Sequence, residues 1–456
     1  MNAERLWERL KEKFASRFAG CQPSESCGLT LCSILVGLSA AAGVWLFKQL
    51  IKSVHLVAHG AFALDFHAPG QWMALFAPVA GGLAVGLASY YLLPRERLHG
   101  VAGIIHSVAA FGGRLSYRDT PVKAAAAAIS IGTGASVGPE DPSVQIGANL
   151  GALFSNLFRL PDGSRTTLVA AGAAAGIAAT FNAPVTGMFF ALEIVFGNLS
   201  GNAFSFIALS SVAATAFTQA VSGPQPAFQV AAYSFASAWE LPLYLGLGLA
   251  AGPVAALYIR LLYAAHDLFD AFPVPHWVKP AAAGLAVGVV GVCLPQGLGV
   301  GYSVIENTLS GEMPAFTVII ALLFAKLLLT PICIGGGFFG GVFAPALFLG
   351  AMLGAAYGVL AQWFFPSLHV VPPAFAMVGM AAVLAGAVHA PITAIMLLFE
   401  MTDDYRIVIP LVLAVAVSLI VSRTLQKESV YGFGLSREGI HLNRAAEGAS
   451  QQDLLH

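Results

Sequence analysis

Glu140 is an acidic residue among small residues, in the run Gly138-Pro139-Glu140-Asp141-Pro142 at the mouth of a Gly-rich segment. A helix that opens there leaves its first backbone N–H groups without intrahelical partners. A carboxylate among such donors imitates a bound anion, so it would occupy an anion path when ionised and leave that path when protonated. The alternative is a helix-capping acid that faces solvent.

The Gly-rich segment around Glu140 occurs a second time in the chain. At one fixed offset of 203 residues, seven positions recur: Gly134, Gly138, Pro142, Gly147, Ala148, Leu150 and Gly151 return as Gly337, Gly341, Pro345, Gly350, Ala351, Leu353 and Gly354. Two further landmarks keep the same order: Ala183-Pro184-x-Thr186 with Glu193 returns as Ala390-Pro391-x-Thr393 with Glu400, and Gly100-Val101 returns as Gly299-Val300. Two repeats whose interrupted helices meet near the bilayer midplane are typical of transport proteins.

Both Gly-rich segments can bind an anion with backbone groups alone. Each helix end offers about half a positive charge, worth about 0.3 to 2 kcal/mol to an anion. No Lys or Arg lies inside either segment, and partial charges hold a small anion while still letting it leave, as conduction requires. The alternative is that the glycines only allow close helix packing. The second repeat has Phe343 where the first has Glu140, so one repeat alone carries the acid.

Composition predicts that these segments lie in a membrane. Hydrophobic residues make up 57% of the 456 residues, charged residues 10%, and the mean hydropathy is +0.78, whereas a soluble domain carries about 25% charged residues. The net charge of -1 excludes a nucleic-acid partner. Nine apolar stretches follow one another: Leu29–Phe47, Trp72–Leu93, Thr167–Phe196, Ala203–Val221, Leu241–Ala265, Pro280–Leu294, Val318–Ile334, Phe375–Phe399 and Ile407–Val421. Because the chain has 49 Gly and 25 Pro, we expect tilted, closely packed helices that are broken at membrane depth.

The N-terminal segment, residues 1–27, has the pattern of an amphipathic helix on the cytoplasmic membrane face. Its apolar stripe is flanked by basic residues: Leu6, Leu10, Phe14 and Phe18 lie between Arg5, Arg9, Lys11, Lys13 and Arg17. The excess of basic residues favours the cytoplasm, and the alternative is a solvated leader helix. The segment has no signal-peptide core. The cysteines lack a metal-ligand spacing, and we expect no cofactor.

Several motifs in one order resemble the CLC family of chloride channels and chloride/proton exchangers. The resemblance runs from about Leu29 to Leu435 and rests on these segments: Gly138-Pro139-Glu140-Asp141-Pro142-Ser143-Val144-Gln145-Ile146-Gly147, Phe181-Asn182-Ala183-Pro184, Gly341-Val342-Phe343-Ala344-Pro345, Glu400-Met401-Thr402-Asp403, and the late Tyr431. The resemblance implies an all-α integral membrane protein with a CLC-type fold of two inverted repeats. It also implies a homodimer with an independent pore in each subunit.

The resemblance also implies a role for particular residues. The backbone N–H groups of Val342 and Phe343 and the hydroxyl of Tyr431 would line a central chloride site, with Glu140 as its gate. The family's first anion motif aligns with Leu98-His99-Gly100-Val101-Ala102, so that His99 stands in place of a serine. Either the His99 ring donates to chloride, gaining charge near pH 6.5, or it turns away and leaves the donor to Gly100.

Four departures from the family pattern bear on mechanism. Ile194 stands where exchangers of the family commonly carry an inner proton-relay glutamate. The adjacent Glu193 matches Glu400 in the repeat, which favours a shared structural role such as bonding to a helix end. Pro139 and Asp141 replace an arginine and a glycine, so the outer anion site is altered. The short tail has no room for the family's paired regulatory domains, and we expect no ATP control.

The sequence therefore predicts a membrane protein that transports chloride and is not an enzyme. Without an inner acid we expect a pH-sensitive chloride channel, with a chloride/proton antiporter as the alternative and a fluoride-selective relative as a lesser one. An intramembrane protease is the alternative from another class, but the chain has no H-E-x-x-H motif. We expect an inner-membrane protein with both termini cytoplasmic, divided into residues 1–27, a first repeat at 28–222, a second repeat at 223–435, and a tail at 436–456.

Overall fold

The computed structural model describes residues 25–61, 75–93, 100–197, 203–224, 228, 240–368, 370–402 and 407–440, and almost all of these residues are helical or in short turns. The predicted tail from residue 441, most of the predicted N-terminal helix, and His99 lie outside the described residues. The first half contains α1 (Glu25–Ala61), α2 (Phe76–Leu92), α3 (Gly100–Ala110), α4 (Thr120–Gly132), α5 (Glu140–Leu157), α6 (Asp162–Phe181), α7 (Pro184–Phe190) and α8 (Phe204–Ser222). The second half contains α9 (Leu241–Ala271), α10 (Lys279–Cys293), α11 (Tyr302–Ser310), α12 (Phe316–Gly335), α13 (Phe343–Phe364), α14 (Pro372–Val388), α15 (Pro391–Thr402), α16 (Val408–Leu425) and α17 (Val430–Arg437).

Within the described residues, six helical stretches are long and apolar enough to cross a membrane: Cys27–Ala58, Phe204–Ser222, Leu241–Ala271, Phe316–Gly335, Phe343–Phe364 and Val408–Arg437. Other apolar helices have 10 to 17 residues, which is less than the roughly 20 that span a hydrocarbon core. Full spans and shorter helix pieces thus lie side by side, as the Gly- and Pro-rich sequence predicts. α13 is the most interior of the long spans, with 78% of its most apolar window buried.

The glycines of the two Gly-rich segments bring equivalent helices into backbone contact. In the first half, α5 crosses α6 where Gly147 meets Gly172, and a Cβ on either residue would overlap the carbonyl oxygen of the other. In the second half, α13 crosses α14 where a Cβ on Gly350 or Gly379 would do the same. These two crossings are related by the offsets of 203 and 207 residues that relate the sequence landmarks. The sequence repeat is therefore also a repeat of helix packing.

Reciprocal hydrogen bonds also tie one half of the chain to the other. The backbone N–H of Ser136 donates to Sγ of Cys333 at 3.3 Å, and the backbone N–H of Phe339 donates to Oγ of Ser130 at 3.1 Å. Residues 136 and 339 are equivalent at the offset of 203, and so are residues 130 and 333. The same hydrogen bond is therefore made twice, once from each half to the other, as expected for two halves related by a two-fold axis.

Glu193 and Glu400 make a second reciprocal contact. The Glu193 carboxylate accepts from the backbone N–H of Thr393 at 2.8 Å and from its hydroxyl at 2.7 Å. The Glu400 carboxylate accepts from the backbone N–H and the hydroxyl of Thr186, both at 2.6 Å. Each acid therefore satisfies the N-terminal turn of a helix in the opposite half. The expected structural role of Glu193 agrees with this geometry.

Candidate anion pathway

Glu140 begins α5, but its carboxylate lies at the N-terminus of α13. Its Oε1 accepts from the backbone N–H of Phe343 at 2.6 Å and from that of Ala344 at 3.2 Å. The residue is 2% exposed, so the donors of α13 and the acid meet in the protein interior. The positive end of α13 stabilises a negative charge at this point. The alternative of a solvent-facing capping acid is therefore wrong, because Glu140 is buried and reaches another helix.

Glycines enclose the Glu140 carboxylate on two sides. Gly138 and Gly341 exchange both backbone hydrogen bonds, at 2.8 and 2.7 Å, in an isolated antiparallel bridge that joins the two Gly-rich segments. A Cβ on Gly138 would overlap Oε2 of Glu140, and a Cβ on Gly341 would overlap Oε1. The space for a carboxylate exists only because both residues lack a side chain.

The second oxygen of the gate acid differs from the first. Oε2 of Glu140 is buried and has no hydrogen-bond partner among the described residues. A buried acceptor without a donor costs about 1 to 3 kcal/mol. The carboxylate is therefore held on one side only, through the N–H groups that begin α13.

Aromatic residues fix the start of α13. Tyr258 is buried and donates its hydroxyl to the carbonyl oxygen of Val342 at 3.0 Å. The ring of Phe343 lies between those of Phe181 and Phe190, with centroids 6.2 and 6.1 Å away. With its carbonyl and its first aromatic side chain both held, the helix end presents its N–H groups in one direction. Val342 and Phe343, two predicted chloride ligands, thus stand at a helix end that is held by contacts of its carbonyl group and its first aromatic side chain.

Gly100 begins α3 in a left-handed conformation, with φ of +69°. The next N–H, that of Val101, donates to Oδ1 of Asp141 at 2.8 Å. The predicted ligand Gly100 therefore lies at a helix N-terminus, as expected, but a carboxylate of the same chain is already bound there. Sequence reasoning missed this partner of Asp141, although an acid one residue after Glu140 was a signal that it could also reach a helix end.

Tyr431 lies in α17, which packs against α3. Its side chain is buried, with 9% of the residue exposed. The start of α17 is fixed by Ser429, whose hydroxyl accepts from the backbone N–H of Gly432 at 3.1 Å. The structure thus brings Glu140, Phe343, Gly100 and Tyr431 into one region, although they are up to 331 residues apart in sequence.

The sequence is similar to a known protein family and to individual proteins. The family model described as "Voltage gated chloride channel" matches residues 81–423. A provisionally assigned ClcB-like chloride channel protein of Ralstonia nicotianae is 35% identical over 410 residues, covering 88% of this chain and 95% of the relative. The H(+)/Cl(-) exchange transporter ClcA of Citrobacter koseri is 34% identical over 332 residues, covering 70% of this chain and 69% of the relative. The chain belongs to the CLC family.

A solved CLC structure agrees with the fold. The crystal structure of a slow cyanobacterial Cl-/H+ antiporter is 26% identical, covers 92% of this chain and 99% of its own, and has a TM-score of 0.81. The predicted all-α integral membrane protein with a CLC-type fold of inverted repeats and broken helices is therefore confirmed. Among the described residues, no group of three His, Cys, Asp or Glu side chains is arranged to hold a metal ion.

Ile194, at the position that the resemblance assigns to the family's inner acid, is an apolar residue. Ile194 is 3% exposed and lies on a π-helical turn, Ala191–Phe196, that continues α7. The neighbouring Glu193 carboxylate is turned to the N-terminal turn of α15. Neither residue therefore offers a free carboxylate at this place.

Lys326 is a buried charge that sequence reasoning missed. It lies inside the membrane-spanning α12 with no exposed surface. Its ammonium group donates to the carbonyl oxygens of Gly297, at 3.5 Å, and of Gly299, and lies 4.8 Å from the ring centroid of Phe348. The signal was available, because Lys326 is the one charged residue of the stretch Val318–Ile334, and a charge in a membrane span needs a partner.

Proposed function

We propose that this chain carries chloride across the membrane and that Glu140 gates the path. One observation carries the proposal: the Glu140 carboxylate occupies the N–H groups of Phe343 and Ala344, at 2.6 and 3.2 Å. These donors belong to a buried helix end that attracts any small anion. The ionised side chain and chloride therefore compete for one place. The named relatives, a chloride channel protein and a chloride/proton exchange transporter, favour chloride as the anion.

Protonation opens the path in this proposal. A neutral carboxyl group loses its attraction to the positive end of α13, worth about 0.3 to 2 kcal/mol, and no longer competes with chloride. Among the described residues, its second oxygen has no hydrogen-bond partner that would hold it there. Chloride flux should therefore rise as pH falls and decline as pH rises through the titration of Glu140.

The proposed chloride ligands lie at or near the N-termini of helices. The N–H groups of Val342 and Phe343 and the hydroxyl of Tyr431 form the central site, and Gly100, with His99 before it, contributes from α3. All are neutral donors apart from a protonated His99. Such a site binds chloride by hydrogen bonds and helix dipoles, without a fixed counter-charge that would slow its release.

A passive, pH-sensitive channel is the leading form of the proposal. Ile194 cannot bind or release a proton, and its side chain is buried among apolar residues. Exchange of chloride for protons is the second candidate, and the names of the Citrobacter relative and of the cyanobacterial structure favour it. In that case protons would reach Glu140 by another route, such as transient water.

The remaining proposals concern assembly and location. We propose a homodimer, with one path in each subunit, in the bacterial plasma membrane with both termini cytoplasmic. The first and second repeats cover residues 28–222 and 223–435. Cross-linking in native membranes checks the dimer, and cysteine accessibility at residues 27 and 456 checks the side on which the termini lie.

The test of the gate is the variant Glu140→Gln, reconstituted in liposomes. The amide keeps the size of the side chain but never carries its charge, so chloride flux should be high and flat between about pH 4 and 8, whereas wild-type flux rises toward low pH. Glu306→Gln is the matched control, because Glu306 is exposed on α11 and its variant should keep the wild-type profile. A pH profile that is the same in wild type and Glu140→Gln would remove Glu140 as the gate.

A further inference from the structure

The Asp141 carboxylate lies at a helix end to which the proposed function assigns chloride. Its Oδ1 accepts from the backbone N–H of Val101 at 2.8 Å, in the first turn of α3. A Cβ on Gly100 would overlap Oδ2 of Asp141 and would lie 2.8 Å from Oδ1. The close approach therefore depends on glycine at position 100, where φ of +69° also favours glycine.

Two consecutive residues thus direct carboxylates to two different helix ends. Glu140 binds the start of α13 and Asp141 binds the start of α3. Tyr431 lies in α17, which packs against α3. The region proposed for the central chloride site is therefore bordered by two negative groups, and the second oxygen of Glu140 is buried there without a hydrogen-bond partner among the described residues.

A cavity of about 490 Å³ adjoins the same helix end. Gly100 lines it, together with Arg114, Lys123, Asn149 and Glu438. Two basic side chains and one acidic side chain thus line the cavity. Gly100 therefore adjoins both this cavity and the Asp141 carboxylate.

We propose that Asp141 is a second tethered anion, which occupies the α3 subsite and competes there with chloride. This inference rests on the proposed function, since it takes the region between α3, α13 and α17 as the chloride path. The tether raises the effective concentration of the carboxylate at Val101 far above that of a free ion. Asp141 is thereby a specificity-determining residue: its carboxylate occupies the α3 subsite at rest, and a transported anion reaches the donors of α3 only when it displaces that carboxylate.

The test is the variant Asp141→Ala, with bromide as the probe. Crystals grown in bromide should show an anomalous peak beside the Val101 N–H that is missing from the wild type. Calorimetric titration of the detergent-solubilised variant should show chloride binding about tenfold tighter, the effect of freeing one helix end. Asp162→Ala is the matched control, because Asp162 is an exposed acid in the first turn of α6 and pairs with Arg165 on the surface. Its chloride affinity should equal that of the wild type.

Asp141→Asn covers the case in which the alanine variant does not fold. Asparagine keeps an acceptor for Val101 but removes the charge, so chloride should bind several-fold tighter than in the wild type. Unchanged chloride affinity in Asp141→Asn, or no bromide beside Val101 in Asp141→Ala, would overturn the role of Asp141.

Glu140→Gln separates this inference from the proposed function. A bromide peak at the N–H groups of Phe343 and Ala344 in Glu140→Gln, without one at Val101 in Asp141→Ala, leaves the gate in place and removes the second tethered anion. The absence of bromide from Glu140→Gln and of chloride flux from the wild type would remove the proposed function, and the role of Asp141 with it.

Discussion

At the scale of single residues, the Glu140 carboxylate fits into its place because Gly138 and Gly341 have no side chains. Gly341→Ala places a Cβ where Oε1 of Glu140 lies, so the carboxylate should be displaced from the N–H groups of Phe343 and Ala344. Each bond from a backbone donor to a charged acceptor is worth about 1.5 to 3 kcal/mol. The same Cβ also excludes the chloride ion that competes for this place, so we expect chloride flux to fall about tenfold or more at low and at neutral pH, measured as chloride efflux from liposomes.

Gly163→Ala is the control for that substitution. Gly163 lies in the first turn of α6, and a Cβ there meets no atom within 4 Å, so flux should stay at the wild-type level. If Gly341→Ala folds and keeps wild-type flux and wild-type pH dependence, the Glu140 carboxylate does not block the path from this position.

The Tyr431 hydroxyl gives a second prediction at this scale. Tyr431→Phe removes one donor from the proposed chloride site and keeps the ring that packs in α17. Because one hydrogen bond contributes about 0.5 to 1.5 kcal/mol, chloride should bind about 2- to 12-fold more weakly in calorimetry. Tyr91→Phe is the matched control, since Tyr91 is 74% exposed near the end of α2 and its variant should keep the wild-type chloride affinity. Equal chloride affinity in wild type and Tyr431→Phe would remove Tyr431 from the site.

Single residues also show what the sequence could and could not predict. Glu140 was predictable, because an acid among orphan N–H donors has few structural explanations. The contact of Asp141 with Val101 was not, since it depends on two helices that begin 40 residues apart. Lys326 was predictable from charge alone, but its carbonyl partners, 27 and 29 residues away, were not.

At the scale of elements, the crossing of α13 and α14 depends on the absence of a side chain at Gly350. A Cβ there would overlap the carbonyl oxygen of Gly379 and lie 2.6 Å from Cα of Met380. Gly350→Ala should therefore separate the helices at a cost of about 1 to 3 kcal/mol. Thermal unfolding in detergent should show a lower transition temperature than the wild type.

Gly28→Ala is the control for the helix crossing. Gly28 lies in the first turns of α1, and a Cβ there meets no atom within 4 Å. Its transition temperature should equal or slightly exceed that of the wild type, because alanine is the better helix former. Equal transition temperatures for wild type and Gly350→Ala would contradict the close crossing.

Helix boundaries were the least predictable elements. The apolar stretch Thr167–Phe196 contains most of α6, all of α7 and a π-helical turn. It is divided because Asn182 adopts a left-handed conformation, φ of +56°, that ends α6. The interior helix α13 was not among the predicted apolar stretches, although the repeat placed a helix start there. Conversely, Pro253 and Pro331 lie inside α9 and α12 without ending them. Tertiary packing determines where these helices begin and end, and a hydropathy profile carries no information about tertiary packing.

At the scale of the whole molecule, the internal repeat was the most informative signal in the sequence. The offset of 203 residues pairs Gly138 with Gly341, and these two glycines form the bridge beside the Glu140 carboxylate. The repeat therefore predicted which segments are equivalent. It could not predict that they touch, because one sequence does not contain the orientation of one half relative to the other. The sequence also cannot predict the route of protons. An apolar residue at position 194 excludes a proton relay through that side chain and leaves other routes open.

The most direct test of the account is simultaneous measurement of chloride and proton movement from proteoliposomes under a chloride gradient. The gated channel proposed here predicts chloride efflux that is faster at low pH, with no uphill movement of protons. Glu140→Gln in the same assay should lose the pH dependence and still move no protons. Chloride efflux that drives protons uphill at a fixed ratio would contradict the channel and show an exchanger whose protons bypass Ile194.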